Sequence, residues 1–473
     1  MTSRLVPIIL AVAMFIENVD STVIATSLAA IAHDVGSEPI ALKLALTAYL
    51  VALAIFIPIS SWAADKFGSR NVFRWAMVVF LLGSVLCAIS NSLGMFVGAR
   101  FVQGMGGAMM TPVARLILVR TTPRHQLVDA MAWLSIPGLV GPIVGPPLGG
   151  FITTYFSWHW IFLINVPIGI IGIALVTKFL PEFQRNEPRK MDFPGFLLAG
   201  TTFAGWVFGI SVLTLPALPS SVGFVALAAG TITAGIYLWH FRRVEYPLLD
   251  LRLFRFPLFL MTIVAGSIYR LGTGAIPFLF PLMLQLAFGM TPFQSGTVTF
   301  ATAAGAFGAK FIAEWFIKRW GFRGNLAAAT GISALGVVAM GFYTPDTPMW
   351  LIMSLLCVTG FFQSMFWTAT NAFVFADIED KDAGQANMMS QVALQLSIAF
   401  GVALGGGVLD GVRHLHGGEP LLGDFHIAFF VIGGVALIST IMFWTLPKGA
   451  GAHLAAQHPP APAPANAVEK PAE

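Results

Sequence analysis

The sequence predicts an all-α protein that crosses a membrane many times, and three observations carry that reading. The first is composition: the 473 residues are 57% hydrophobic and 10% charged, with mean hydropathy +0.81. A soluble chain carries about 25% charged residues, so this one has too little polarity to cover a water-facing surface. The second is pattern: long apolar runs recur along the chain, each near the ~20 residues a helix needs to cross the hydrocarbon. The short turns between them suit helices, which close their own hydrogen bonds, better than barrel strands. The third is the placement of Lys and Arg, which alternates from turn to turn.

Fourteen spans are expected, at 5–31, 40–63, 71–90, 92–118, 127–153, 159–179, 193–215, 221–241, 256–288, 292–317, 325–343, 348–376, 384–411 and 425–446. The first could be mistaken for a cleaved leader, but Glu17 and Asp20 interrupt it where such a segment is uncharged. Of the 26 Lys and Arg residues, 20 fall on one side: Arg4; Lys66, Arg70, Arg74; Arg120, Arg124; Lys178, Arg185, Arg189, Lys190; Arg242, Arg243, Arg252, Arg255; Lys318, Arg319, Arg323; Lys381; Lys448 and Lys470. Only Lys43 and Arg413 fall on the other, and Arg100, Arg115, Arg270 and Lys310 lie within spans. That bias puts both termini in the cytoplasm.

Two basic connections, 180–192 and 242–255, divide the chain. The expected organisation is a six-helix bundle at 1–180, two additional helices with their linkers at 181–255, a second six-helix bundle at 256–446 and a disordered Pro/Ala-rich tail at 447–473. An internal repeat supports it. "WAADKFGSRNVF" (Trp62 to Phe73) and "WFIKRWGFRGNL" (Trp315 to Leu326) share Trp, Gly and Arg at equal offsets after the second span of each bundle. Repeated halves around a midplane site are a common transporter plan.

Composition and motifs exclude other classes. The basic residues are dispersed over short loops, so no nucleic-acid partner is expected despite a pI of 9.1. Cys87 and Cys357 both sit in apolar runs and read as packed thiols. No phosphate-binding loop, CxxC pair or metal-ligand cluster occurs, and His159 among aromatics reads as an interfacial anchor. No enzyme activity, cofactor or metal is expected. The partners expected are the lipid bilayer, protons and a small-molecule substrate, with the chain acting as a monomer.

The segment Pro137 to Gly150 holds four prolines and five glycines in fourteen residues, yet no charge occurs between Asp129 and Lys178. In a membrane helix such residues are tolerated where neighbouring helices cover the freed backbone. Gly141, Gly145 and Gly149 recur every four residues and make a smooth stripe for another helix; Pro142, Pro146 and Gly150 add bends and a further close approach.

At these residues the chain resembles the major facilitator superfamily. "GLVGPIVGPPLGGFI" (Gly138 to Ile152) matches its fifth-span antiporter motif. "SSWAADKFGSRNVF" (Ser60 to Phe73) resembles the loop motif after span two, with Ser61 where glycine is usual. "ARFVQGMGGAMM" (Ala99 to Met110) resembles the fourth-span motif. "ENVDSTVIATSLAAIA" and "SWHWIFLINVPIG" are similar to the fourteen-span drug:proton antiporter branch of EmrB/QacA type, nearest its MdtD-like and HsrA-like groups. The resemblance implies the major facilitator fold, two six-helix bundles plus two extra helices, in a bacterial inner membrane. It implies proton-coupled, multidrug-type efflux by alternating access. It makes the glycine–proline segment a hinge or seam between halves. It also makes Asp65, Gly68 and Arg70 an inner gate, with Asp65 facing the start of the helix near Gly384.

Charges inside spans are functional candidates because each is costly there. Glu17 and Asp20 lie three apart on span one, and Asp20 and Arg100 lie at similar depths. The pair reads either as a proton-coupling site or as a static ion pair joining two helices. Arg270 sits near the middle of span nine with no acid evident nearby; backbone carbonyls, water or an anionic substrate would meet it. Lys310 and Glu314, four apart, are expected to pair, and with Arg270 and Gln103 to line a substrate cavity. Arg115 is expected to snorkel to the basic surface, Asp129 to open span five, and Asp410 to be solvated. Arg270 and Lys310 motivate an alternative substrate class of organic anions or metal–chelate complexes. A membrane sensor that kept the fold without transport is the alternative of another class.

Overall fold

The computed structural model describes residues 5–123, 126–182, 190–213, 219–379 and 382–451. Arg4, Arg124, Arg185, Arg189, Lys381, Lys470 and the tail from 452 lie outside them, as does the side chain of Asp129. The first group of helices is α1 (Leu5–Val23), α2 (Leu28–Asp34), α3 (Lys43–Phe56), α4 (Ser60–Phe67), α5 (Ser69–Ala88), α6 (Leu93–Thr121), α7 (Leu127–Tyr155), α8 (His159–Leu163) and α9 (Asn165–Phe179). A hairpin of α10 (Phe193–Leu213) and α11 (Ser220–His240) follows. The second group is α12 (Pro257–Thr273), α13 (Ile276–Leu286), α14 (Pro292–Ala309), α15 (Ala313–Met340), α16 (Met349–Phe373), α17 (Ala383–His416) and α18 (Leu422–Trp444).

Breaks fall where the residues require them. Pro58 cannot donate to the preceding turn, and a 3-10 turn, Ile57–Ile59, separates α3 from α4 there. Gly68, at φ 87°, separates α4 from α5, and Gly321, at φ 67°, kinks α15 at the same offset of the second repeat. Only glycine enters that region without strain, so the two copies share a backbone conformation as well as a motif.

Among the described residues, twelve stretches are helical, long and apolar enough to cross a membrane. Two of the fourteen expected segments are not among them. One is α7, several of whose side chains lie outside the described residues; the other is α14, which Gln294, Ser295 and three threonines make less apolar. These two helices pack on each other. A side chain at Gly150 would strike Pro292 and Phe293, one at Gly296 would strike the Pro146 carbonyl, and the Phe293 N–H donates to Thr154 Oγ1 at 3.1 Å.

Two hydrophobic cores hold the groups separately. One joins α1, α3, α5, α6 and α9 around Leu10, Phe73, Phe80 and Ile117; the other joins α12, α15, α16 and α18 around Tyr269, Phe322, Phe366 and Phe443. A third crosses between them. It packs Val23, Leu28, Ile31 and Phe162 with Phe278, Phe280, Leu284 and Phe429, away from the basic turns. The bundles are therefore sealed at the far end, and a cavity lies between them toward the basic end. The α10–α11 hairpin lies against α3 and α17, bridging both groups along one flank, and α11 buries only Gly223, Gly230 and Tyr237. At the far-end surface the Trp158 indole donates to Asp34 Oδ2 at 2.6 Å, and this bond, with the neighbouring His33, holds the Asp34 carboxyl below the usual carboxylate range.

Candidate functional site

Asp20, fully buried on α1, is the centre of a polar cluster inside the first bundle. Arg100 of α6, 1% exposed, donates through Nη1 to Asp20 Oδ2 at 2.8 Å. The other oxygen, Oδ1, accepts from Gln103 Nε2 at 2.8 Å and Asn165 Nδ2 at 2.9 Å, and Gln103 also donates to Ser84 Oγ at 2.8 Å. The Arg100 guanidinium lies over the Tyr49 ring, 4.3 Å from its centroid. Four helices thus converge on one carboxylate whose charge is matched and whose hydrogen bonds are supplied, the condition under which a buried ion pair is tolerated. Gln103, expected in a substrate cavity, is instead completely buried in this cluster. Three spaces Gln103 onto the same face of α6 as Arg100, and that face turns toward α1 and α5.

Glu17 lies one turn away and points elsewhere. It lines a cavity of about 1020 Å³ between the bundles, open toward the basic end. Its Oε2 accepts from Thr111 Oγ1 at 2.8 Å, and Arg115 attracts it electrostatically. Arg115 lines the cavity too and is exposed there. The opposite wall comes from α17, where Gln385, Asn387, Gln391 and Gln395 present amides along one side of the helix. Sequence reading missed this wall, along with Asn165, Ser84 and Tyr49, because uncharged polar residues carry no burial cost large enough to single them out.

Asp65 lines the mouth of the same cavity and accepts from Arg120 Nη2 at 2.6 Å. Gly384, at the start of α17 on the other bundle, lines the same cavity, while the hydrogen bond of Asp65 goes to Arg120 within its own bundle. Gly68 forms the turn, and Arg70 turns sideways to the Thr177 carbonyl and to Glu182, 3.6 Å away.

The glycine stripe does not face the other bundle. Cβ atoms at Gly141, Gly145 and Gly149 would meet Asn18, Thr22 and Val23 of α1, at 2.6, 2.8 and 2.7 Å for the Asn18 Cβ, Thr22 Cβ and Val23 Cγ2 atoms. Thr22 Oγ1 donates to the Gly141 carbonyl at 3.2 Å, and Thr26 Oγ1 to that of Pro146 at 3.4 Å. Pro142 is exposed. The seam between the bundles is made one residue off the stripe, at Gly150, and by the Pro146 carbonyl.

Neither Arg270, Lys310 nor Glu314 lines the cavity. Arg270 is 2% exposed inside the second bundle, its guanidinium 4.9 Å from the Trp367 ring centroid and 5.4 Å from that of Phe366, with Nε and Nη1 unpartnered among the described residues. Lys310 and Glu314 are exposed; Lys310 donates to Thr368 at 3.1 Å, and Glu314 lies 2.6 Å from Lys318. Asp410, expected to be solvated, is 2% exposed and lies 3.2 Å from Arg413, which also reaches Glu38 at 2.8 Å. Lys43, fully buried on α3, interacts electrostatically with Asp410. These four charges tie α17 to the first bundle at the sealed end.

Two bundles around a central cavity, a buried acid–base cluster in the first and a glycine-turn repeat define a membrane transporter of the major facilitator class. The chain belongs to the Major Facilitator Superfamily, whose sequence profile matches residues 10–269 and 258–471. It is 36% identical over 436 residues to a protein named for multidrug resistance, MdtD, of Cronobacter sakazakii, covering 89% of each chain. It is 34% identical over 452 residues to the MdtD of Salmonella paratyphi A, covering 93% of this chain and 94% of that one. Among solved structures it superposes on a D-xylose–proton symporter with TM-score 0.69 at 14% identity, over 94% of this chain and 98% of that one. It superposes on the POT family transporter PepTSo with TM-score 0.68 at 14% identity, over 96% and 98%. These likenesses show the fold.

Proposed function

We propose that the chain is a proton-coupled exporter of small molecules working by alternating access, in a bacterial inner membrane, with its basic end and both termini in the cytoplasm. In this reading α7 and α14 also cross the bilayer, giving fourteen spans. The observation that carries the proposal is the division of labour on α1. Glu17 opens on the cavity, while Asp20, one turn on, is sealed with Arg100. Substrate entering from the basic end meets Glu17, Thr111 and the amides of α17. When the bundles rock, α1 moves against α6 and α9. A carboxylate drawn off its guanidinium while still out of water takes a proton, which pairing expels again. Protons and substrate thereby exchange across the same helix. The similarity to proteins named for multidrug resistance supports efflux as the direction.

The alternative of organic anions or metal–chelate complexes rested on Arg270 and Lys310, and their absence from the cavity lining leaves it without a motivating residue. The test is substrate-induced proton release from proteoliposomes, offered ethidium, chloramphenicol and citrate in turn. Release with ethidium or chloramphenicol is expected. Release with none of them, or with citrate alone, would overturn the proposal.

A further inference from the structure

The two copies of the repeat differ in one charge, and that difference creates a site. In the first copy the turn is internally balanced: Asp65 takes Arg120 at 2.6 Å, Lys66 lies over the Trp62 ring at 4.7 Å, and Arg70 reaches Glu182 at 3.6 Å. Counting equal offsets from Trp62 and Trp315, Asp65 corresponds to Lys318, Gly68 to Gly321 and Arg70 to Arg323. The second copy has a cation where the first has its carboxylate.

Lys318, Arg323 and Lys448 converge on a cavity of about 600 Å³ at the basic end, walled by Trp320 and Trp444. Lys318 is shared with Glu314, whose own side chain is 72% exposed. Arg323 lies 5.3 Å from the Trp444 ring centroid, and neither it nor Lys448 makes an ion pair among the described residues. Of the three cations, Lys318 alone has an acid partner among the described residues, and that acid is solvated. Trp320 and Trp444 are 49% and 63% exposed, at the ends of membrane-crossing helices, the level at which indoles sit among headgroups.

We propose that this cavity holds the phosphate headgroup of an anionic phospholipid from the leaflet at the basic end, replacing the carboxylate that the second repeat lacks. Basic pockets between membrane helices suit such headgroups, and the flanking indoles keep acyl chains beside them. A soluble phosphate would gain the cations but nothing from the exposed rings.

The test uses the purified full chain in micelles, titrated with phosphatidylglycerol, phosphatidylcholine of the same acyl chains, or inorganic phosphate, with adducts read by native mass spectrometry. Phosphatidylglycerol is expected to be retained at least about tenfold more tightly than phosphatidylcholine, since each of the three basic residues contributes several-fold. The triple variant K318Q/R323Q/K448Q should bring the two lipids level, and so should Lys318→Asp alone, which supplies the missing carboxylate with a single surface change. Arg242→Gln with Arg243→Gln, on another basic turn, should leave the preference unchanged. An undiminished preference in both site variants, an equal loss in the Arg242/Arg243 variant, or displacement of the lipid by millimolar phosphate would each overturn the proposal.

Discussion

At the scale of single residues, the account turns on how buried charge is compensated. Arg100→Gln removes the cation paired with Asp20 and leaves a carboxylate at 0% exposure with two amide donors. Breaking a buried pair from one side costs about 3–5 kcal/mol, so thermal unfolding in detergent should shift down strongly. The double variant Asp20→Asn with Arg100→Gln should recover much of that loss. A single variant as stable as wild type would mean the pair contributes nothing to holding α1 on α6. Glu17→Gln is expected to act differently: it keeps a hydrogen bond with Thr111, preserves stability and weakens transport of cationic more than of neutral compounds. Equal transport of ethidium and chloramphenicol before and after the change would remove Glu17 from the cavity's chemistry. The Asp20–Arg100 pair was legible in the sequence because both charges lie in apolar runs at matching depth. Gln103, Asn165 and Ser84 were not, because an amide or hydroxyl in a span is common and its direction depends on neighbours from distant sequence.

Among elements, close approach decides. The stripe on α7 was legible as a packing surface from its four-residue period, but its partner was not: period fixes a face, not which helix covers it. The structure assigns that face to α1. Gly145→Val should then wedge α7 off Thr22 and destabilise by about 1–3 kcal/mol or more, read as lost thermal stability and surface expression. Gly98→Ala on α6, where nothing among the described residues lies within 4 Å, is the matched control and should be neutral or slightly stabilising. Comparable losses at the two sites would contradict the packing assignment. Asp410 teaches a second lesson. Its position near a helix end suggested solvent, yet Lys43 and Arg413 enclose it, and Lys43 comes from a helix more than three hundred residues earlier in the chain. Distance along a helix is a poor proxy for exposure where two bundles meet.

For the whole molecule, the far end is closed by a shared apolar core and by the Glu38, Lys43, Asp410 and Arg413 charges, while the basic end is open. Asp410→Asn should weaken that closure and populate a conformation open at the far end. Cysteines placed at residue 37 or 418 would then react faster with a membrane-impermeant maleimide added on the far-end side. Unchanged labelling would show that the apolar core alone holds the end shut. The all-helical, many-span plan was legible from hydropathy and short turns; the conformation was not, since one sequence serves every state of an alternating cycle.

The claim beneath all of this is that the carboxylate of Asp20 couples protons to substrate movement. The most direct measurement compares wild type with Asp20→Asn in proteoliposomes carrying a trapped pH indicator, under an imposed proton gradient, with ethidium or chloramphenicol as cargo. The account predicts uphill accumulation with proton counterflow for wild type, and for the variant facilitated equilibration with neither. Uphill accumulation by Asp20→Asn at the wild-type rate, with its proton counterflow intact, would contradict it.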